Sequence, residues 1–149
     1  MLDLFAGVGT MGLEAVSRGA AEVLMVEQDR RIYALLEKNV RDLGCEAIAD
    51  TLRGDALGSV SLLRAPRPLD VIFVDPPFVM MQDEASRGRV LEHMARAAEL
   101  LADDGLMVLR TPLDAGEISH AIQSLHGPEV REYRRHHQVL LYAHPEVAP

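Results

Sequence analysis

The chain of 149 residues holds very little cysteine, and that shortage limits the kinds of site it can form. Cys45 is its single cysteine. One cysteine excludes an intramolecular disulfide and any metal site built from clustered cysteines. Because Cys45 follows a predicted helix, we expect a small, half-buried residue there rather than a nucleophile.

Basic residues are scarce relative to acidic ones. The chain has 15 Lys and Arg against 23 Asp and Glu, so its formal net charge is −8 at pH 7. Since Lys and Arg make the contacts to phosphates, this balance argues against a protein that holds nucleic acid by charge alone. A local basic patch is still compatible with it.

Long apolar runs are also missing. No run is long enough to cross a bilayer, and no basic segment precedes an apolar one near the first residue, as it does in a secretory signal. With 48% hydrophobic and 26% charged residues, the chain is expected to form one domain over residues 1–149. We expect this domain to be cytoplasmic, monomeric and without a membrane partner.

The first pattern that is present is a glycine-rich turn. Residues 2–5 predict a short strand, Gly7, Gly9 and Gly12 fit G-x-G-x-x-G, and Gly19 closes the helix that follows. This arrangement lets the backbone approach a ligand at the carboxyl end of a parallel strand. Alone, the pattern fits nicotinamide and flavin enzymes equally well.

A second strand, predicted at residues 23–26, ends in Glu27. An acidic side chain at this distance from the glycine turn can accept both hydroxyl hydrogens of a ribose. Its strand-end position leaves few structural partners, which favours a functional role. Asp29 then predicts the N-cap of a helix that Gly44 ends. The expected buried face of this helix consists of Ile32, Leu35, Leu36, Val40 and Leu43.

The remaining chain continues to alternate between strands and helices. Further strands are predicted at residues 47–52, 69–74, 106–109, 130–135 and 138–142. Further helices are predicted at residues 57–63, from about residue 83, and from Asp114. The spacing of Asp114 to Glu117 is that of a capping box. A turn is predicted at residues 103–105. This alternation predicts an α/β fold, with a parallel sheet and helices on both faces.

The fourth predicted strand stops abruptly in Asp75-Pro76-Pro77-Phe78. The two prolines fix φ and cannot donate to a sheet, so the chain must leave the strand in a rigid, extended shape. A carboxylate, a backbone carbonyl and an aromatic ring are thereby held in fixed relation at the edge of the sheet.

Taken together, these motifs have a recognisable order. The segment from Asp3 to Ala15, Glu27 with Asp29, Lys38-Asn39, and Val74 to Phe78 resemble the bacterial ribosomal RNA guanine-N2 methyltransferases that modify the small subunit. The resemblance runs from Met1 to about Pro112. It implies a Rossmann-like class I S-adenosylmethionine-dependent methyltransferase, with a seven-stranded sheet in the order 3-2-1-4-5-7-6 and strand seven antiparallel.

The resemblance also implies ligands and roles for residues. The cofactor is S-adenosyl-L-methionine, the partner is ribosomal RNA of the small subunit, and no metal is used. The implied cofactor-binding residues are Asp3, Phe5, Ala6, Gly7, Gly9, Glu27, Gln28, Asp55, Ala56 and Asp75, and the implied catalytic residues are Asp75, Pro76, Pro77 and Phe78. On residue type alone, Asp3 is equally suited to capping the glycine turn, and Gly54-Asp55 is a common turn.

Three functions remain open on these observations. The first is methylation of a guanine N2 amine in small-subunit ribosomal RNA. The second is methylation of DNA adenine N6 or of a protein glutamine, by enzymes with similar Asn- or Asp-Pro-Pro motifs. The third is a nicotinamide-dependent dehydrogenase or an inactive cofactor-binding module. Relatives in the resembled family carry an Arg- and Gly-rich extension before the first strand, so the chain is expected to be N-terminally truncated.

Several other residues admit two roles. Arg87 and Arg89 either hold RNA phosphates or lie in a solvated loop, and Met80 and Met81 either line the mouth of the site or fill core space. The basic run at residues 134–137 is expected at an exposed hairpin end. Surface positions are expected for His93, His120, His126 and His144.

Overall fold

The computed structural model describes residues 1–133 and 137–145. Its elements, in chain order, are β1 (Leu2–Leu4), α1 (Thr10–Ser17), β2 (Val23–Glu27), α2 (Arg30–Asp42), β3 (Ala49–Arg53), α3 (Ser59–Arg64), β4 (Leu69–Val74), α4 (Phe78–Gln82), α5 (Glu84–Ala97), β5 (Leu101–Thr111), β6 (His126–Tyr133) and β7 (His137–Ala143). A short 3-10 turn, Ala98–Leu100, joins α5 to β5. Among the described residues, no helix has the length and apolar character needed to cross a membrane.

The strands form one sheet in the order β3-β2-β1-β4-β5-β7-β6. The first five are parallel to one another, and β7 runs antiparallel to both of its neighbours. This confirms the predicted topology. Because the chain order reverses between β1 and β4, their carboxyl ends open a crevice at that point, which is where ligands bind in sheets of this kind.

Helices cover both faces of the sheet, as predicted. On one face, Leu2, Leu4 and Ile72 pack with Val90 and Met94 of α5 in the larger buried cluster. The other face has a smaller cluster in which Val23 and Met25 of β2 meet Leu36 and Val40 of α2. Cys45 lies in this smaller cluster and is 8% exposed, so it is more deeply buried than expected.

The expected buried face of α2 is only partly correct. Leu36 and Val40 are buried, but Ile32, Leu35 and Leu43 are 38%, 51% and 65% exposed. The helical period identifies the side of a helix that faces the sheet but not the width of the contact. Here α2 lies over β2 and β3 at the end of the sheet, so its apolar stripe is wider than the surface that covers it.

Two further predictions about local structure are wrong. Residues 112–125 do not form a helix, because the Asp114 carboxylate accepts a hydrogen bond from the Gly116 backbone at 2.8 Å and closes a local turn instead of a capping box. The predicted turn at residues 103–105 is part of β5. The helix predicted from about residue 83 is preceded by a separate short helix, α4, where Met81 is fully buried and Met80 packs against the core.

Two of the four histidines expected at the surface are buried. His93 and His120 are each 1% exposed, and each has a hydroxyl neighbour, Ser61 Oγ at 3.4 Å and Thr111 Oγ1 at 3.2 Å. Burial lowers the pKa of both imidazoles, which keeps them neutral and suited to an apolar interior. His126 is exposed as expected.

Glycine is required at position 12 by close packing. A Cβ added to Gly12 would lie 2.4 Å from Sδ and 2.6 Å from Cγ of the buried Met25. We expect Gly12→Ala to lower the free energy of unfolding by about 1–3 kcal/mol. The matched control is Gly88→Ala in α5, where an added Cβ meets nothing within 4 Å; it should raise stability by about 0.5–1 kcal/mol. Urea denaturation measures both, and a loss of stability in both variants would contradict the packing argument.

Candidate active site

A cleft of about 590 Å³ opens at the carboxyl ends of the strands, beside β1 and β4. Its lining includes eight of the predicted site residues: Phe5, Glu27, Gln28, Ala56, Asp75, Pro76, Pro77 and Phe78. It also includes Val26, Asp29, Ile32 and Arg110. The motifs from β1, β2 and β4, which are far apart in the sequence, therefore meet at one site.

The turn between β1 and α1 contributes Phe5 to the lining of this cleft, whereas the predicted site residues Ala6, Gly7 and Gly9 do not line it. Gly7 and Gly9 have φ of 59° and 94°, in the left-handed region that favours glycine. Phe5 has φ of 65°, which is unusual for an aromatic residue. Such a backbone persists only where the surroundings hold it, and it occurs often at ligand sites. The surroundings here include the backbone hydrogen bond from Ala6 to Val26, at 2.8 Å.

Asp3 is the cap of this turn. Its Oδ2 accepts a hydrogen bond from the Gly12 backbone at 3.0 Å, and the residue is 1% exposed. Burial raises the pKa of this carboxyl to about 7, in spite of the opposing bond from Gly12. Of the two roles considered for Asp3, the structure supplies the cap; direct contact with a cofactor stays a prediction.

The shifted pKa of Asp3 makes stability depend on pH. Because the folded-state pKa lies above the ordinary value of 3.8, the contribution of Asp3 is complete below about pH 4 and is lost as the pH rises through 7. Asp3→Asn retains an oxygen for Gly12 but cannot ionise. We expect it to flatten the fall in unfolding free energy between pH 4 and 8, which otherwise amounts to a few kcal/mol.

Urea denaturation at several pH values measures this effect. The matched control is Asp104→Asn, since Asp104 is exposed on β5. Its pH dependence should follow the unmodified chain. Equal slopes for the unmodified chain and the Asp3 variant would show that Asp3 does not ionise in this range.

Glu27 has more structural partners than its strand-end position suggested. Oε2 accepts a hydrogen bond from the Gly7 backbone at 2.9 Å, and Oε1 accepts one from Asp29 at 2.8 Å. The expectation that it has few partners is wrong, because the glycine turn folds back onto the end of β2. A carboxylate has about four acceptor sites, so capacity remains for a ligand on the cleft side.

The loop after β3 contributes Ala56 to the cleft and is held by local hydrogen bonds. Asp55 Oδ1 accepts one from the Leu57 backbone at 2.9 Å, so this residue forms the common turn that was one of its two interpretations. Ser61 Oγ lies 3.1 Å from the Ala56 carbonyl and 2.7 Å from that of Gly58. These bonds give the loop a defined shape.

The end of β4 continues along β1 for one more residue. The Asp75 backbone donates to the Leu4 carbonyl at 3.3 Å, and then Pro76 and Pro77 take the chain out of the sheet. Pro77 is the N-cap of α4, and Phe78, the first residue of that helix, is 36% exposed. The expected rigid exit from the strand is present, with the carboxylate and the ring on the same cleft.

Arg110 is a site residue that the sequence interpretation missed. Leu109 pairs with Val74 across β4 and β5, which places Arg110 beside Asp75. Arg110 Nε lies 2.8 Å from Asp75 Oδ1, and its Cζ lies 5.4 Å from the centre of the Phe78 ring. A cation that directly follows the apolar run Leu106–Leu109 at a strand end was the available signal.

The electrostatics of Asp75 reflect two opposing causes. Burial raises the pKa of this carboxyl, whereas the charges of Arg110 and His137 oppose that rise. His137 also approaches Phe78, with ring centres 6.4 Å apart. Arg134, Arg135 and His136 of the predicted basic hairpin end lie outside the described residues.

The other basic candidates lie on α5. Arg87 Nη1 donates to the Met81 carbonyl at 2.9 Å, so it joins the two helices, whereas Arg89 is exposed. Neither lies in the solvated loop that was one of the two interpretations. Within residues 1–133 and 137–145, no cluster of His, Cys, Asp or Glu is arranged to hold a metal ion.

Comparison with known proteins places these features in a family. A model of the family described as conserved hypothetical protein 95 matches residues 1–142. The chain is 34% identical over 118 residues to ribosomal RNA small subunit methyltransferase D of Escherichia coli K12, covering 77% of this chain and 54% of that protein. It is 37% identical over 78 residues to the protein of the same name from Haemophilus influenzae, covering 52% and 40%.

A solved structure agrees with these sequence relatives. A putative methyltransferase from Escherichia coli aligns with a TM-score of 0.75 and 28% identity, covering 96% of this chain and 74% of that one. The chain spans about half the length, or less, of the curated relatives it matches. Because the family model extends over nearly all of the sequence, the chain belongs to the conserved hypothetical protein 95 family, and its fold is that of the class I methyltransferases.

Proposed function

We propose that this chain is the catalytic domain of an S-adenosylmethionine-dependent methyltransferase that modifies the exocyclic N2 amine of a guanine in small-subunit ribosomal RNA. The observation that carries the proposal is that Phe5, which begins the glycine turn, Glu27 at the end of β2, and Asp75-Pro76-Pro77-Phe78 line one cleft. A nucleotide-binding turn beside a rigid carboxylate and ring suits transfer to a planar base that bears an amine. The similarity to ribosomal RNA small subunit methyltransferase D supports the choice of substrate.

The residues of the cleft fit S-adenosylmethionine. A Cβ added to Gly7 would meet nothing within 4 Å, so open space lies directly over the turn. Glu27 retains acceptor capacity for ribose hydroxyls, and Ile32 and Ala56 offer apolar surface to an adenine ring. When bound, the cofactor supplies an activated methyl group, so the protein needs to provide only position and charge.

The exocyclic amine of guanine is a poor nucleophile because its lone pair is delocalised into the ring. In the proposed mechanism, the Asp75 carboxylate accepts one N–H and the Pro76 carbonyl accepts the other. These two bonds orient the nitrogen and favour localisation of its lone pair, a contribution of positioning and preorganised charge. Once methylated, the nitrogen is acidic, and Asp75 is the group placed to take its proton.

Phe78 completes the site for a base. An enzyme that acts on a base atom must take the base out of its stack, and an exposed ring replaces part of the lost stacking. Phe78 is exposed at the mouth of the cleft, adjacent to Asp75 and beside the cation of Arg110. The exposed Arg89 lies on α5 and supplies positive charge for the RNA backbone.

The decisive experiment is transfer of a tritiated methyl group to undermethylated small ribosomal subunits, followed by nucleoside analysis. We expect the label in N2-methylguanosine. Label in N6-methyladenosine would rule out the guanine assignment, and label in protein would favour a side-chain substrate. Free ribosomal RNA, tested in parallel, distinguishes naked RNA from the assembled subunit as substrate.

Calorimetry separates a methyltransferase from a dehydrogenase. S-adenosylhomocysteine, the product form of the cofactor, should bind to the chain, and a nicotinamide dinucleotide should not. Tight binding of the dinucleotide without binding of S-adenosylhomocysteine would overturn the proposal.

A further inference from the structure

The contact between Arg110 and Asp75 is made by buried atoms of two partly exposed side chains. Arg110 Nε and Asp75 Oδ1 lie 2.8 Å apart, and both atoms are inaccessible to solvent. The side chains as a whole are 40% and 26% exposed. Since Oδ1 of Asp75 is covered, the accessible part of that side chain lies elsewhere, which leaves Oδ2 as the oxygen available to the cleft.

This ion pair is poorly directed as a hydrogen bond. Asp75 Oδ1 and Arg110 Nε both lack a well-aligned hydrogen-bonding partner, and the only other such buried side-chain atom in the described residues is His93 Nδ1. A buried ion pair contributes little net stability, because the desolvation of the two charges offsets their attraction. An ion pair of this kind in a candidate active site therefore favours a role in function over a role in stability.

Three charged or titratable groups face Asp75. Arg110 comes from β5, His137 from β7, and the buried Asp3 from β1. Burial disfavours a negative charge on Asp75, and of these three groups only Arg110 is in direct contact with the carboxylate. A chain without Arg110 would therefore place a carboxyl group that must accept an N–H in surroundings that favour its neutral form.

Arg110 is also fixed on its other side. Its guanidinium carbon lies 5.4 Å from the centre of the Phe78 ring, within the range of a cation–π interaction. The side chain thus bridges the carboxylate and the ring of the same motif. Its backbone is set by the β5 ladder, where it pairs with Val139 of β7.

We propose that Arg110 is a positioning residue, which binds Oδ1 of Asp75, keeps this carboxylate charged, and turns Oδ2 toward the incoming amine. This inference rests on the proposed function for its role in the reaction, but the ion pair itself can be tested without substrate. In this role Arg110 does not contact the reacting atoms. Loss of the Arg110 charge should therefore affect methyl transfer only through its effect on Asp75.

The first test measures Asp75 directly. In the full 149-residue chain labelled with carbon-13, the Asp75 carboxyl resonance is assigned by its absence in Asp75→Asn and is followed from pH 3 to 9. We expect the titration midpoint to rise by about one pH unit in Arg110→Met. Arg110→Lys, which keeps the charge, should restore most of the original midpoint. An unchanged midpoint in Arg110→Met would overturn the inference.

The matched control is Arg18→Met. Arg18 forms an exposed ion pair with Glu14 on α1 and does not line the cleft, so its loss should leave the Asp75 midpoint unchanged. Circular dichroism and S-adenosylhomocysteine binding check that each variant is folded. An equal shift in Arg18→Met would show a general charge effect and would also overturn the inference.

The second test follows methyl transfer against pH. In Arg110→Met, the acid limb of the pH profile of kcat/KM should shift to higher pH by the same amount as the carboxyl midpoint. In Arg110→Lys, the acid limb should return to its original position. If the unmodified chain labels neither ribosomal subunits nor RNA, the proposed function fails while the carboxyl titration still decides the role of Arg110. If the unmodified chain is active and the limb does not move, the inference fails and the proposed function stands.

Discussion

Asp75→Ala is expected to lower methyl transfer by on the order of 10³-fold while leaving the affinity for S-adenosylhomocysteine nearly unchanged. The variant removes both the acceptor that orients the amine and the group that takes its proton. Cofactor affinity should persist, because the glycine turn, Glu27 and the loop at Ala56 are held by bonds that do not involve Asp75. Single-turnover transfer to small subunits and calorimetry measure the two quantities.

Two variants sharpen this experiment. Asp75→Asn keeps the shape and one acceptor oxygen but cannot take a proton, so a large loss in this variant assigns the effect to charge rather than to volume. Asp70→Ala removes an exposed carboxylate at the other end of the same strand and should be neutral. Parallel loss of transfer and of cofactor affinity in Asp75→Ala would contradict the catalytic role.

The second large effect is expected at Glu27. Glu27→Gln should weaken S-adenosylhomocysteine binding by about 10- to 100-fold, since hydrogen bonds to a charged group contribute about 1.5–3 kcal/mol. Its carboxylate accepts from the backbone of Gly7 and of Asp29. An amide has one oxygen, so its NH₂ group would face one of these two donors. The substitution therefore disturbs the glycine turn as well as the ribose contact.

The control for this variant is Glu22→Gln, just before the other end of β2, where the side chain is exposed. It should bind S-adenosylhomocysteine as the unmodified chain does. Thermal unfolding separates the two roles of Glu27. Loss of its bonds to the Gly7 and Asp29 backbone lowers the melting temperature of the ligand-free chain, whereas loss of a ribose contact does not. Unchanged affinity in Glu27→Gln would remove Glu27 from the cofactor site.

Several features of the fold follow directly from local patterns. The bounds of β4 match the predicted residues, and Asp29 caps α2 through bonds to the Arg31 and Ile32 backbone at 2.8 and 3.0 Å. Gly19 and Gly44 end their helices as predicted, and both have φ in the left-handed region. These features depend on short-range sterics and hydrogen bonds, which a few adjacent residues decide.

Other predictions failed where a competing local hydrogen bond or a contact with a residue distant in the sequence decided the outcome. The Asp114 segment had the spacing of a capping box, but its side chain bonds to Gly116, and His120 is held by Thr111 and the Ile118 carbonyl. His93 is buried because α5 packs it against Ser61. Residue type alone favours the surface for a histidine; its neighbours in space override that preference.

Local sequence patterns predict the glycine turn, most of the alternation of strands and helices, and the rigid strand end at Asp75-Pro76-Pro77-Phe78. These are local, because φ restriction, capping and periodicity act within one or two turns of chain. The bond from the Gly7 backbone to Glu27 and the pairing of Arg110 with Asp75 depend instead on the fold. Each contact joins a residue of one strand, Glu27 of β2 or Arg110 of β5, to a residue that follows a neighbouring strand, and the order of the strands in the sheet determines which of these residues meet.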